Sequence, residues 1–372
     1  MISGTTWEVP VLIAVVAALF WCLPVRWRWS FLSIATVAVL GWVAPASAVL
    51  LVGVTVSSYV VMVARPPDYV GWLYVFAVFA VMLALRAEYG GWMWFGAAFY
   101  VLKAIHATVE VQYKRQPAPR FTDYAAYMLF LPEISIGPVD RLPHFLREKE
   151  RCRWNPAMVS AGLEAILYGY AQIVLLADYL LAHKLGNAVV IMPPGALREW
   201  LECVQFGGQL YFKFAGFSDI AIGFALLVGI RAQPNFNRPY RATNILEFWR
   251  RWHMSVTSWC RDYVNRPVLA VTRSRAAAAV AAMLVLGLWH ELSLRYILWG
   301  LYHGAGIACW LGWRGLAGPA LAAAPAWSHR IGHLAAWLVT MVFVVAGFAI
   351  TKEPTVAQSL RALGALFGLM VL

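Results

Sequence analysis

The sequence predicts an all-α, polytopic membrane protein, and three observations carry that prediction. Hydrophobic side chains make up 62% of the 372 residues and charged ones only 13%, more apolar surface than one soluble core can bury. The apolar residues gather in runs close to the ~20 that a helix needs to cross a bilayer. The 30 lysines and arginines sit in the short links between those runs, as the positive-inside rule requires, and form no stripe of their own. The net charge of +12 therefore reports membrane topology, and no nucleic-acid partner is expected.

Taken in order, Val9 to Val25 is the first span; it lacks the basic start and small-residue cleavage site of a signal peptide. Phe31 to Ala64 holds two spans joined near Ala44-Pro-Ala-Ser47, and Tyr69 to Leu85 is a fourth. Arg26, Arg28 and Arg65 place the intervening links in the cytoplasm and the N-terminus outside. Arg86 to Gly91 is an outer link, and Trp92 to Ile105 returns the chain inward to Lys114, Arg115 and Arg120. Tyr124 to Ile136 is too short to span and reads as re-entrant or interfacial. Arg141 to Arg153 reads as an amphipathic surface helix, with Asn155-Pro156 starting the next one.

Ser160 to Leu181 is a sixth span, Ile191-Met-Pro-Pro194 breaks the chain on the outer side before Leu197 to Val204, and Gln209 to Ile230 is a seventh. The stretch from Arg231 to Arg275 holds nine arginines against two acids, Glu247 and Asp262, and belongs on the cytoplasmic face. Its tryptophans, Trp249, Trp252 and Trp259, suit short helices at headgroup depth. Ala276 re-enters the membrane towards His290, Leu294 to Leu311 crosses back, and Ile331 to Ile350 and Val356 to Leu372 end the chain. The total is about eleven spans, counted from apolar runs, without an internal repeat, in a single domain over residues 1–372.

Five scattered cysteines show neither a C-x-x-C pair nor a zinc-like cysteine-histidine spacing, so no metal site is expected. Of eight histidines, His106, His144, His183, His329 and His333 lie in links or near span ends, where a solvated histidine is ordinary. His253, His290 and His303 lie in or just after the arginine-tryptophan stretch. His290 ends an apolar helix entering the bilayer; a neutral imidazole there can take a proton from a hydroxyl, or it can bond a backbone carbonyl between helices. Position alone leaves both open. Arg250 and Arg251 beside His253 match a phosphate-rich ligand or anionic lipid. Asp262 pairs with a neighbouring arginine such as Arg261. Ser218-Asp219 lacks the G-x-S-x-G of a serine hydrolase.

With these residues in view, the sequence resembles the membrane-bound O-acyltransferases, in the bacterial branch concerned with alginate O-acetylation and teichoic-acid D-alanylation. The matching stretches are Phe130 to Arg141, Gln209 to Asp219, Asn235 to Tyr240, Glu247 to Tyr263 and Gly287 to Gly304, within a core of about residues 121–310. Glu247-Phe-Trp-Arg-Arg-Trp-His-Met-Ser255 is the most specific of them. The resemblance implies helices around a central tunnel, a cytoplasmic entrance for a thioester donor and an outer entrance for a hydroxyl acceptor. It places the family's nearly invariant histidine on His290 and its second histidine on His253, with His303 supporting packing.

The implied reaction is transfer of an acyl group, acetyl by first choice, across the inner membrane for O-acylation of an envelope or exported polysaccharide, with His290 as base. Arg238, Arg250 and Arg251 would steer the donor, Trp249, Trp252 and Trp289 would line or brace the path, and Asp262 would shape it. The co-substrate would be acetyl-coenzyme A or an acyl-loaded carrier protein, with no tightly bound cofactor. A separate periplasmic acyltransferase is the implied partner. Glu291 stands where many relatives have glycine and predicts a narrower tunnel or an extra acid beside His290. D-alanyl transfer from a carrier protein, to which Gly137-Pro-Val-Asp-Arg141 points, is the alternative within the family; a non-catalytic transporter or export scaffold is the alternative outside it.

Overall fold

The structure is a computed structural model describing residues 7–89, 96–113, 116–134, 136–322 and 326–369. The described residues are 82% helical and include no strand. The expected elements at Trp92 to Phe95, Lys114, Arg115 and Met370 to Leu372 lie outside the described residues. The fold divides into two compact units, residues 1–174 with 214–234, and residues 175–213 with 235–372.

The first unit opens with α1 (Glu8–Cys22), α2 (Val25–Val43), α3 (Pro45–Ala64) and α4 (Asp68–Tyr89), close to the four runs expected. Pro45 sits in the first turn of α3, where its missing N–H costs nothing. The expected link at Arg86 is helical as far as Tyr89. α5 (Ala97–Gln112) is the core of this unit, buried almost all round from Tyr100 to Val109, with its polar Lys103 and His106 met by Glu133 and by the Leu142 N–H.

After α6 (Phe121–Met128) and a single 3-10 turn (Leu131–Glu133), α7 (Leu142–Glu150) forms the expected short amphipathic helix. α8 (Pro156–Ala171) starts with Asn155 accepting from the Ala157 N–H at 2.9 Å. It runs without a break through a π-helical stretch, Gln172–Leu185, into α9 (Gly186–Val190), a longer rod than the expected sixth span. α10 (Ala196–Leu227) is one helix of 32 residues, where two segments were expected: Gly207 and Gly208 weaken a helix, but it continues through them because both pack closely, a Cβ on Gly207 meeting the Phe348 ring and one on Gly208 the Leu181 side chain. Gly162 faces Gly223, and Gly169 faces Gly216. A Cβ on Gly162 would stand 2.8 Å from the Gly223 carbonyl, so α8 and the second half of α10 meet through small residues, as membrane helices do.

The second unit continues with α11 (Ile245–Arg251), α12 (Met254–Cys260), a π turn (Arg261–Asn265) and α13 (Arg266–Thr272), the short helices expected of the arginine-rich stretch. α14 (Arg275–His290) and α15 (Leu294–Ala322) form a hairpin, packed in turn on α16 (Ala326–Lys352) and α17 (Val356–Leu366). The hairpin is close because Gly287, Gly300 and Gly304 face the neighbouring backbone. A Cβ on Gly300 would stand 2.7 Å from the Met283 carbonyl. α17 has 11 residues, about 16 Å of rise, short of the span expected from Val356 on.

Among the described residues five helices are long and apolar enough to cross a membrane: Pro45–Ala64, Asp68–Leu85, Pro156–Val190, Ala196–Leu227 and Ile331–Lys352, with Glu8–Cys22 and Arg275–His290 as shorter apolar helices. His106 departs from its expected solvated place. It is buried at 3% exposure and its Nε2 accepts the Leu142 N–H at 2.9 Å, because α5 is enclosed on every side.

Candidate active site

The site lies in the second unit and begins with a capping box. Asn244 accepts from the Glu247 N–H at 2.8 Å, and Glu247 reaches back to the Thr243 N–H at 2.9 Å and hydroxyl at 3.1 Å, which satisfies donors that a helix start leaves open. α11 ends at Trp252, and His253 takes a left-handed conformation, φ 45° and ψ 53°. For a side chain other than glycine that conformation needs support. The loop beginning at Asn235 supplies it: Met254 N–H donates to the Asn235 carbonyl at 2.8 Å and Asn237 N–H to the Arg251 carbonyl at 2.9 Å. The Ser255 hydroxyl adds a bond to Asn235 Oδ1 at 2.7 Å.

α14 starts at Ser274, whose hydroxyl accepts from Ala277 N–H at 3.1 Å, and it ends on His290. Aromatic rings surround that last residue. Trp289 lies 4.8 Å from His290 and 5.6 Å from His253, ring centre to ring centre, so the two imidazoles share one indole neighbour. Tyr296 stacks on His290 at 5.6 Å and 27°, and Trp299 meets it edge-on at 5.6 Å and 88°. Behind these, Trp299 touches His303 at 4.8 Å and Trp249 at 5.5 Å.

His253 and His303 are buried at 2% and 3% exposure, whereas His290 is partly exposed. Burial, and the nearby His290, hold the His253 imidazole well below its ordinary pKa, so it stays neutral. Imidazoles walled by indoles, with one reachable from outside, form a site suited to moving a proton to or from a small hydroxyl.

The other expected site residues divide. Trp249 and Trp289 join the cluster. Trp252 packs instead with Tyr211, Phe236, Tyr240 and Phe248, at the point where the chain leaves α11 in an extended conformation, φ −102° and ψ 127°. Arg238 and Arg250 are exposed. Arg251 pairs with Glu247 at 2.6 Å, and Asp262 pairs with Arg261 at 3.0 Å and Arg266 at 3.1 Å. The Glu291 carboxylate pairs with Arg295 at 2.6 Å and remains 46% exposed. Tyr296 and Trp299 were not anticipated, although their spacing with His303 puts all three on one face of α15. Among the described residues no three His, Cys, Asp or Glu side chains gather as metal ligands would.

Residues 72–348 match the sequence model of the membrane-bound O-acyltransferase family, and this stretch contains all three clustered histidines. The chain belongs to the membrane-bound O-acyltransferase family. This family member is 32% identical over 251 residues to the probable alginate O-acetylase AlgI of Pseudomonas aeruginosa, covering 66% of this chain and 46% of that protein. It is 28% identical over 267 residues to the peptidoglycan O-acetyltransferase of Helicobacter pylori, 67% of this chain and 47% of the other. Against the teichoic acid D-alanyltransferase of Bacillus subtilis it is 31% identical over 198 residues, half of each. The chain thus spans about half the length of the curated relatives it matches.

Proposed function

We propose that this membrane-bound O-acyltransferase, acting as one domain over its whole length, moves an acyl group from a cytoplasmic thioester through a tunnel to an acceptor hydroxyl. The residues supporting a tunnel lie within a fold read from the sequence as about eleven spans of the bacterial inner membrane. One observation carries the reading: His290 is the reachable member of a set of three histidines otherwise enclosed by indoles. In the reaction His290 takes the hydroxyl proton and the alkoxide attacks the thioester carbonyl. The tetrahedral oxyanion then collapses with loss of the thiolate, and His290 returns the proton to sulfur. One C–O bond forms as one C–S bond breaks. Trp249 supports an indole as oxyanion donor, since its buried Nε1–H has no hydrogen-bond partner among the described residues.

His253 would stay neutral beside the base, Trp289 would brace both rings, and the exposed Arg238 and Arg250 would draw in an anionic donor. Arg251 and Asp262 would serve through their ion pairs, and Trp252 would brace the wall. Acetyl is the first choice of acyl group, supported by the relatives named for O-acetylation, with an envelope or exported polysaccharide as acceptor and a periplasmic transferase as partner. D-alanyl transfer is the second reading, supported by the Bacillus subtilis relative.

The test is incubation of the protein in nanodiscs with radiolabelled acetyl-coenzyme A, and in parallel with a D-alanyl-loaded carrier, comparing wild type with His290→Ala. Thioester cleavage or label transfer by the wild type alone supports the reading, and the productive donor identifies the acyl group. Equal signals from both proteins would remove His290 from the chemistry. Substrate flux without acyl transfer would favour a transporter.

A further inference from the structure

Arg295 stands in the first turn of α15 with only 16% of its side chain exposed. Its guanidinium makes three bonds at once: Nη2 donates to Glu291 Oε2 at 2.6 Å, while Nη1 donates to the Thr351 carbonyl at 3.3 Å and to the Glu353 carbonyl. The last two lie at the C-terminal end of α16, where carbonyls lack intrahelical donors and the helix dipole favours a cation. One side chain therefore fastens the turn that follows His290 to the end of another helix. The same guanidinium lies 5.1 Å from the centre of the Tyr296 ring, and that ring is the one stacked on His290.

His290 has need of such restraint. It is the last residue of α14, and helix ends fray, yet a general base must hold its nitrogen within hydrogen-bond reach of the acceptor oxygen. We propose, building on the acyl-transfer reading above, that Arg295 is a positioning residue which, with Glu291 and Tyr296, sets the angle of the His290 imidazole. Glu291 then belongs to the clamp, and its departure from glycine gives the guanidinium a charged partner. A lysine cannot replace the arginine, because an ammonium is a point charge and the planar fork is needed to serve a carboxylate and two carbonyls together.

The test compares wild type with Arg295→Met, Arg295→Lys and Tyr296→Leu by kcat, by donor KM, and by the rate at which diethyl pyrocarbonate labels His290, followed by mass spectrometry. The expected result for Arg295→Met is a fall in kcat of about 100-fold, the scale of a misplaced reacting group, with donor KM within about 2-fold and faster labelling of His290. Arg295→Lys should recover only a small part. A kcat within about 3-fold of wild type together with an unchanged labelling rate would overturn the proposal. If Arg295→Met does not fold, Tyr296→Leu, which keeps the ion pair, carries the same expectation and the same refutation. A wild type that transfers no acyl group from any donor defeats the acyl-transfer reading alone, and labelling that is equal in wild type and variants still defeats the positioning role.

Discussion

The buried charges of the first unit and the clustered histidines of the second are satisfied in opposite ways. In the first, charges meet charges: Lys103 Nζ lies 3.0 Å from Glu133 and 4.4 Å from the Tyr127 ring centre, and Asp140, itself buried, is 2.9 Å from His144. The bond to Asp140 holds His144 above its ordinary pKa, while burial pushes the Glu133 carboxyl up against the pull of Lys103. In the second unit the histidines meet rings, and burial pushes His253 the other way. Paired charges fix a conformation and react reluctantly; an imidazole that stays neutral has a lone pair free to meet an incoming hydroxyl. The contrast supports the proposed division of scaffold from chemistry.

The strongest way to break that contrast is His290→Ala, which should lower acyl transfer by 10²–10⁴-fold, about the range for a lost general base, at unchanged expression and melting temperature. A large loss of stability in this variant would make His290 scaffold too. Lys103→Met should do the reverse. Leaving Glu133 buried without its cation should cost about 3–5 kcal/mol, read as a lower melting temperature in detergent, and Lys103→Met with Glu133→Gln should recover much of it. Normal melting with lost activity would move this pair out of the scaffold.

Asn235→Ala sharpens the comparison inside the second unit. It removes the Ser255 bond and leaves a buried hydroxyl unmatched, worth about 1–3 kcal/mol by thermal unfolding, and it should slow transfer by loosening the chain at His253. pH gives a further handle. His253 stays neutral when folded and binds a proton more readily once unfolded, so its contribution to stability is full above about pH 6.5 and falls as pH drops below it. His144 has the opposite sign, with stability present at low pH and lost as pH rises through its raised value. His253→Gln should therefore flatten the acid side of a melting-temperature profile, and an unchanged profile would count against the buried neutral imidazole. The smallest effect belongs to Asp262→Asn, whose partners are largely exposed. It should change stability by less than about 1 kcal/mol and leave kcat alone; a large drop in kcat would bring Asp262 into the site.

Local signals account for what could be read early. The ends of α1 to α4 follow from apolar runs punctuated by proline and arginine, and Asn155 marks the start of α8 because a cap acts within its own turn. His253 and His290 stood out because each lies next to tryptophan in a distinctive phrase. What could not be read was set by residues far apart in the chain. Lys103 and His106 look like interruptions of a span until Glu133 and Leu142 arrive, 30 and 36 residues later. The parting of Trp249 from Trp252 depends on rings brought up from elsewhere in the chain, Trp299 and His303 to the first and Tyr211 and Phe236 to the second.

The amino-acid sequence alone determined that this is a helical membrane protein, that an arginine-tryptophan stretch sits between its apolar helices, and which histidines are distinctive. Composition, period and charge placement act over a few turns of chain, and that is where those conclusions reside. Only the tertiary structure decided that His290 is the accessible imidazole of the three, that Tyr296 and Trp299 wall it, and that Glu291 pairs with Arg295. These are matters of which surfaces α11, α14, α15 and α16 present to one another, and close packing fixes them through contacts that no local pattern encodes.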